Sequence, residues 1–195
     1  VDADCFFYSD PSPIYGDLGK KSILLVEHRY SADRKNWEKT SGRFNVELLI
    51  FRRDTNGLKA LKCWRERCIE WCYFRHEDGK LGDQMYLNDW PERFKGVHVL
   101  KHKGGGLAPW NIKNYRLVAR QGKVFVDEDE LIFYHFHALK IFTKNQYELA
   151  AGYQFTAAEK KLVYQPYIDA IKRVILLVKR KDKNFNHGFS DKPKF

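Results

Sequence analysis

Apolar residues recur along the chain in two rhythms. Residues 22–27 (Ser-Ile-Leu-Leu-Val-Glu) and 44–51 (Phe-Asn-Val-Glu-Leu-Leu-Ile-Phe) are short apolar runs with the length of buried strands, the second interrupted by Asn45 and Glu47. Further strands are predicted at 97–100 and 131–136, with a hairpin formed by 115–119 and 123–126 that turns at Gln121-Gly122. The other rhythm is helical. Leu58, Leu61, Trp64, Cys68, Trp71 and Cys72 recur at steps of three, four and one. They predict a helix capped by Asp54 or Thr55, with this stripe toward the core and an end near Asp78-Gly79. Thr156-Ala157-Ala158-Glu159 fits a capping box, and Tyr164, Tyr167, Ile168, Ile171, Val174, Ile175 and Val178 follow at helical spacing, with Pro166 expected to kink the helix.

Between these elements the chain is polar. Ser9-Asp10-Pro11-Ser12-Pro13 reads as a turn, and residues 32–42 read as a loop whose only large apolar residue is Trp37. Gly82-Asp83-Gln84 opens a short helical segment with Tyr86, Leu87 and Trp90 inward, closed by Pro91. Gly104-Gly105-Gly106 lacks the Lys-Ser or Lys-Thr of a Walker phosphate loop and is expected to be a flexible turn.

Composition places this pattern in one α/β domain. The chain has 195 residues, 44% of them hydrophobic, enough for a single core. No apolar run approaches the roughly 20 residues that span a bilayer. The chain opens on acidic residues, which is unlike a signal peptide, and Val1 reads as the middle of a strand. A fragment is therefore expected. Four cysteines without a Cys-x-x-Cys pair predict buried free thiols in a reducing, cytoplasmic compartment. The net charge is +10, and residues 172–195 carry eight Lys or Arg against two Asp. That basic end, 181–195 with Gly188 and Pro193, is expected to be poorly ordered. It is either a solubilising tail or, with the helix before it, a peripheral contact for an anionic membrane.

Four polar segments interrupt apolar surroundings: Asp2-Ala3-Asp4, Phe44-Asn45-Val46, Gly82-Asp83-Gln84 and Tyr134-His135-Phe136-His137. On an extended backbone Asp2 and Asp4 point to the same side, which suits a hard divalent cation. Each segment also has an ordinary structural explanation: a polar strand end, a closed turn at Asn45, a helix cap at Asp83, a satisfied core imidazole at His135.

In this order the four segments resemble a glycosyltransferase of the GT-A fold, of the family-eight type. Those enzymes carry an Asp-x-Asp (DXD) motif, an Asn-x-Gly strand start, Asp-Gln-x-x-Leu-Asn and a His-x-x-Gly segment. The matching residues are Asp2-Ala3-Asp4, Asn45-Val46-Glu47, Asp83-Gln84-Met85-Tyr86-Leu87-Asn88 and His135-Phe136-His137-Ala138. The resemblance covers residues 1–140. It implies an α/β chain that is the C-terminal part of a GT-A (nucleotide-diphospho-sugar transferase) domain, with a mixed sheet and a C-terminal helix and without the nucleotide-binding half. It divides the chain into a catalytic region at 1–155, an amphipathic helix at 156–180 and a basic tail at 181–195.

By position, the resemblance assigns Asp2, Asp4 and His135 to a Mn²⁺ or Mg²⁺ ion. It assigns Asp2, Asn45, Val46 and Asp83 to the donor, and Asp83 and Gln84 to the reacting sugar carbon. It implies transfer of a sugar from a nucleotide-diphosphate donor to a carbohydrate or lipid-linked acceptor, with retention. Glu47 and Ala138 stand where the family pattern has Gly, and Glu47 is expected to add bulk and charge beside the donor pocket. Three rivals stand beside this reading: a nucleotidyltransferase of related fold, a carbohydrate-binding homologue without turnover, and a basic nucleic-acid-binding module. The last is disfavoured because no nucleic-acid motif is present and the basic residues are not interleaved with aromatics on a sheet face.

Overall fold

The computed structural model describes residues 1–143 and 145–191. The chain is a mixed α/β protein built on several small sheets. After β1 (Cys5–Phe7) and α1 (Ser12–Leu18), β2 (Ile23–Glu27) forms the centre of a three-stranded sheet. It pairs antiparallel with β3 (Phe44–Phe51) and parallel with β4 (Val97–Val99), so this sheet is mixed as expected. The unbroken apolar run of β2 follows from burial on both faces. Ile23 and Leu25 pack with Phe44, Leu87 and Trp90 on one side. Leu24 and Val26 pack with Ile14, Leu18, Ile132 and Phe133 on the other.

Between β2 and β3 the chain is not a loop but a 3₁₀ segment (Ala32–Trp37) followed by α2 (Glu38–Ser41). α1 likewise replaces the turn expected around Pro11 and Pro13. Pro13 sits in its first turn, where a missing N–H breaks no helical bond. α3 (Thr55–Glu70) is capped by Asp54, whose side chain accepts the Gly57 N–H at 2.8 Å. It ends at Glu70, short of Asp78-Gly79, and its expected stripe meets the core only in part, through Trp64. Leu58 and Leu61 are 49% and 37% exposed, while Gly57 and Ala60 are buried. The reason is close approach: a Cβ at Gly57 would stand 2.2 Å from the Arg52 carbonyl oxygen, so the helix meets the sheet through small residues. Cys63 and Trp64 complete the contact. All four cysteines are free, but Cys72 is exposed, contrary to the expectation of buried thiols.

A 3₁₀ turn (Met85–Leu87) and α4 (Trp90–Arg93) follow, with Leu87 and Trp90 buried. Pro91 opens α4 rather than closing the segment before it. The glycine run is buried and not a flexible turn. The Gly104 carbonyl accepts the Ile132 and Phe133 N–H groups at 2.8 and 3.1 Å, and the Leu107 carbonyl accepts the His135 N–H at 2.8 Å. A Cβ at Gly104 would lie 1.9 Å from the Glu130 oxygen, so a side chain there is excluded.

The predicted hairpin forms as β5 (Leu117–Arg120) and β6 (Lys123–Val126), extended by β7 (Asp129–Glu130). The predicted strand at 131–136 is shorter, β8 (Phe133–His135), and pairs antiparallel with β1. A second hairpin of β9 (Lys140–Thr143) and β10 (Gln146–Glu148) comes next.

The capping box is present at α5 (Ala157–Glu159), with Thr156 and Glu159 bonded reciprocally. A π-helical turn over Lys160–Tyr164 then leads into α6 (Gln165–Lys181). Pro166 lies in the first turn of α6, and the widened turn before it takes the place of the expected break. Val163, Tyr164 and Ile168 enter the same core cluster as Tyr134 and Phe136. The segment after α6 is not free. The Ser190 N–H donates to the Ile141 carbonyl at 2.8 Å, tying it back to β9, while Pro193 lies outside the described residues. No helix among the described residues is long and apolar enough to cross a membrane.

Candidate functional site

Three segments far apart in sequence meet at the N-terminal turn. Asp2, Ala3 and Asp4 are not extended; Ala3 and Asp4 form a turn closed by the Cys5 N–H on the Asp2 carbonyl at 3.3 Å. Two backbone bonds hold that turn in place. The Asp2 N–H donates to the Glu47 carbonyl of β3 at 2.9 Å, and the Phe136 N–H donates to the Asp4 carbonyl at 2.8 Å. Since Cys5 lies opposite His135 in the β1–β8 register, the turn is set directly beside the imidazole.

The side chains converge accordingly. His135 Nε2 lies 3.2 Å from Asp4 Oδ1 and 3.9 Å from Asp2 Oδ2. One ligand atom from each of the three residues falls within 4.8 Å of the other two. His135 Nδ1 pairs with Glu47 Oε2 at 2.9 Å. Glu47 is 0% exposed and sits beneath His135, so it does not crowd the cavity as its place in the motif suggested. The β2–β3 register is irregular here, with Leu24 opposite Ile50 and Val26 opposite Asn45, so Glu47 lies in a bulge of β3. Its second oxygen, Oε1, has no hydrogen-bond partner among the described residues. A Cβ at Gly106, where φ is +77°, would stand 2.8 Å from both that oxygen and Arg29 Nη2. Ala138 has φ +61°, a left-handed backbone that favours Gly, as the motif it resembles has there.

Burial disfavours the imidazolium of His135, but the hydrogen bonds it donates to Asp4 and Glu47, with their negative charges, outweigh that and lift the pKa to about 10. The same bond to His135 holds Asp4 below its usual range. Burial, with a contribution from Asp2, raises Asp83. The site thus gathers carboxylates around a single imidazole, a field that attracts cations.

A cavity of about 430 Å³ opens over this cluster. Every residue expected at the site lines it except the backing Glu47: Asp2, Asp4 and His135 together, then Asn45 and Val46 on β3, then Asp83 and Gln84. Asn45 does more than close a turn. Its Oδ1 accepts the Glu47 N–H at 2.7 Å, so its amide Nδ2 faces His28 Nε2 at 3.0 Å. Asp83 is not a helix cap; its backbone oxygen accepts the Trp64 indole N–H at 3.0 Å while the residue lines the cavity. The Gln84 amide nitrogen donates to the Ser41 carbonyl at 2.5 Å, leaving its oxygen available.

Sequence reasoning missed Glu47 as the partner of His135, because the bulge in β3 breaks the two-residue alternation that would have placed it. It also missed His28, Tyr30, Trp110, His137 and Tyr153, which line the cavity from unrelated segments. The isolated Trp37 in a polar stretch was the only visible sign of that wall.

His28 gives the site a pH signature. It is buried and accepts from Asn45, which fixes its neutral form, and burial depresses its pKa to about 3. Above the unfolded value near 6.5 both states are neutral and His28 contributes nothing to pH dependence. As pH falls from about 6.5 toward about 3 the unfolded chain binds a proton that the folded chain refuses, and stability declines by up to about 1.4 kcal/mol per unit. The difference in Tm between pH 7 and pH 4.5 should shrink in His28→Gln. An unchanged difference contradicts this assignment.

Fold and site together define a mixed α/β protein with a carboxylate–imidazole cluster on the floor of an open cavity. The chain is similar to two proteins of Bacillus subtilis (strain 168). It is 36% identical to the uncharacterized protein YfnD over 195 residues, which cover 98% of this chain and 63% of that protein. It is 30% identical to the uncharacterized protein YfnF over 199 residues, covering 98% of this chain and 65% of that protein. The chain therefore spans a little under two thirds of these relatives. No protein-family model matches the chain, and no solved structure matches it.

Proposed function

We propose that this chain carries the metal and donor site of a GT-A-type glycosyltransferase, which moves a sugar from a nucleotide-diphosphate donor to an acceptor hydroxyl. The observation that carries the reading is the convergence of Asp2, Asp4 and His135, with one donor atom each inside 4.8 Å, at the floor of a cavity that Asn45, Val46, Asp83 and Gln84 also line. The donor set fits a divalent ion of the Mn²⁺ class. Two carboxylates and an imidazole suit such a cation, and a buried carboxylate on the far imidazole nitrogen is the usual outer support of a metal-bound histidine.

When bound, the ion would supply positive charge to the departing diphosphate. Asp2 and Asp4 would hold it through carboxylate oxygens and His135 through Nε2. Glu47 keeps the Nδ1 proton and so turns Nε2 toward the aspartates. Asn45 and Val46 shape the wall against the donor sugar. Asp83 offers a carboxylate to the sugar hydroxyls, and Gln84, its nitrogen engaged by Ser41, presents its amide oxygen to the carbon that becomes cationic in transfer.

The test is direct. Mn²⁺ titration followed by electron paramagnetic resonance should show one tight site, weakened in Asp4→Ala by about 100-fold or more, beyond the loss typical of an outer-shell partner. Mn²⁺-dependent release of a nucleoside diphosphate from a nucleotide sugar should vanish in the same variant. Release of pyrophosphate would assign nucleotidyl transfer instead. Mn²⁺ binding indifferent to Asp4→Ala overturns the site.

A further inference from the structure

The cavity has a second wall that the metal and donor residues do not use. Rings run along it in unbroken contact from the His135 cluster to the rim. Trp110 meets His135 at 5.2 Å and His137 at 5.5 Å between ring centroids. His28 joins Trp110 at 5.3 Å and stacks on Tyr30 at 4.6 Å. Tyr30 meets Trp37, and Trp37 meets Tyr153, each at 6.3 Å.

Two features distinguish this wall from ordinary core. First, its outer end is left uncovered but is held rigidly. Trp37 is 40% exposed, and the Arg34 guanidinium lies 4.6 Å from its ring and 4.1 Å from that of Tyr153. Arg34 is itself fixed by donation to the Gly152 carbonyl at 2.7 Å. Phe74, also on the cavity lining, is 96% exposed. Large rings held in water at a cavity mouth forgo burial that they would otherwise gain. Second, Trp110 is buried yet its indole N–H has no partner among the described residues, and the same holds for His28 Nδ1. Buried donors without acceptors are costly unless something else supplies the acceptor.

We infer that this wall is a subsite for a pyranose ring, which in the proposed reaction belongs to the acceptor glycan. The inference rests on the sugar-transfer reading for the acceptor role alone, not for the binding itself. A pyranose presents a patch of C–H bonds on one face and hydroxyls around its edge. The C–H patch, slightly positive, fits the negative face of Trp37 or Phe74, and the hydroxyls can accept from donors such as the Trp110 indole. A nucleobase is a poorer fit. It is planar on both sides and gains most between parallel rings, whereas Tyr30, Trp37 and Tyr153 stand at 73° and 82° to one another. The subsite begins at the metal cluster, so a sugar lying along it approaches the place where the donor's reacting carbon is held.

Saturation-transfer difference NMR with a panel of methyl pyranosides and disaccharides tests this on wild type, Trp37→Ala, the milder Trp37→Phe, and Gly122→Ala, a hairpin position remote from the cavity lining. At least one sugar should receive saturation on the protons of a single ring face. Its affinity should fall about tenfold or more in Trp37→Ala, recover in part in Trp37→Phe, and stay unchanged in Gly122→Ala. Circular dichroism confirms the fold of each variant. No signal from any pyranoside overturns the subsite, as does binding that ignores Trp37, or a nucleoside that loses its binding on Trp37→Ala while sugars are unaffected. The two readings separate cleanly. Sugar binding that depends on Trp37, without nucleotide-sugar cleavage by wild type, keeps the subsite and removes the transferase. Mn²⁺-dependent cleavage without such binding does the reverse.

Discussion

Glu47→Gln is expected to weaken Mn²⁺ binding by about 10- to 100-fold while the protein still folds. The carboxylate lies fully buried with Oε2 at 2.9 Å from His135 Nδ1, so its charge acts chiefly on the imidazole. Glutamine keeps the shape and can still accept the Nδ1 proton, but it removes the negative charge that makes Nε2 a strong donor. Glu47→Leu removes both and should bind more weakly still. Isothermal titration with Mn²⁺ distinguishes the three proteins. An affinity in Glu47→Gln within twofold of wild type would mean that the buried pair is only structural. The motif that this segment resembles has glycine at this position, so the substitution also asks what the carboxylate in its place contributes.

The second large effect belongs to the buried glycines. Gly104→Ala places a methyl 1.9 Å from the Glu130 carbonyl oxygen, and that oxygen is backbone and cannot swing aside. The segment from Gly104 to Leu107 must then retreat from Glu130 of β7, straining the bonds that the Gly104 carbonyl accepts from Ile132 and Phe133. A loss of about 3 kcal/mol or more is expected, in the range of overpacked and strained sites. Urea denaturation measures it. Gly122→Ala serves as the comparison. It carries the φ strain of a hairpin turn, with nothing within 4 Å of the added methyl, and should cost less. Equal losses would show that the close approach at Gly104 relaxes freely.

How much of this was legible in the sequence depends on the range of the interaction that decides each feature. β2, β3, the hairpin of β5 and β6, and the Thr156 capping box follow from patterns a few residues long, and the chain obeys them. α3 was recognised as a helix but its buried face was misread. Apolar periodicity marks large side chains, and this helix docks through Gly57 and Ala60, which leaves Leu58 and Leu61 in water. The glycine run was misread for a related reason. Three glycines favour a mobile turn only if nothing lies against them, and here the absent side chains are what permit β8 to lie close.

The site residues divide in the same way. Asp2, Asp4, Asn45, Val46, Asp83, Gln84 and His135 were singled out through an ordered set of short motifs, and all line one cavity. Glu47 was expected to crowd that cavity and instead lies behind it. Its identity was read against a glycine template, whereas its surroundings are set by His135, a residue of a different sheet. The ring-lined wall carries no local signature. Tyr30, Trp37, Trp110 and Tyr153 come from three separate regions of the chain, and only the fold makes them adjacent.

The N-terminal turn has a thermodynamic consequence. Residues 2, 4, 47 and 135 become neighbours only when β1, β3 and β8 have all been placed, and contacts across such spans close late because long loops must be ordered first. A form in which β1, β3 or β8 is out of place lacks the cluster. An ion taken up there is therefore held by the native state alone, and its free energy of association is added in full to the resistance of the whole chain to unfolding, growing as RT ln(1 + [ion]/Kd). Chelation would then loosen not only the aspartates but also the distant helices, which never touch the ion.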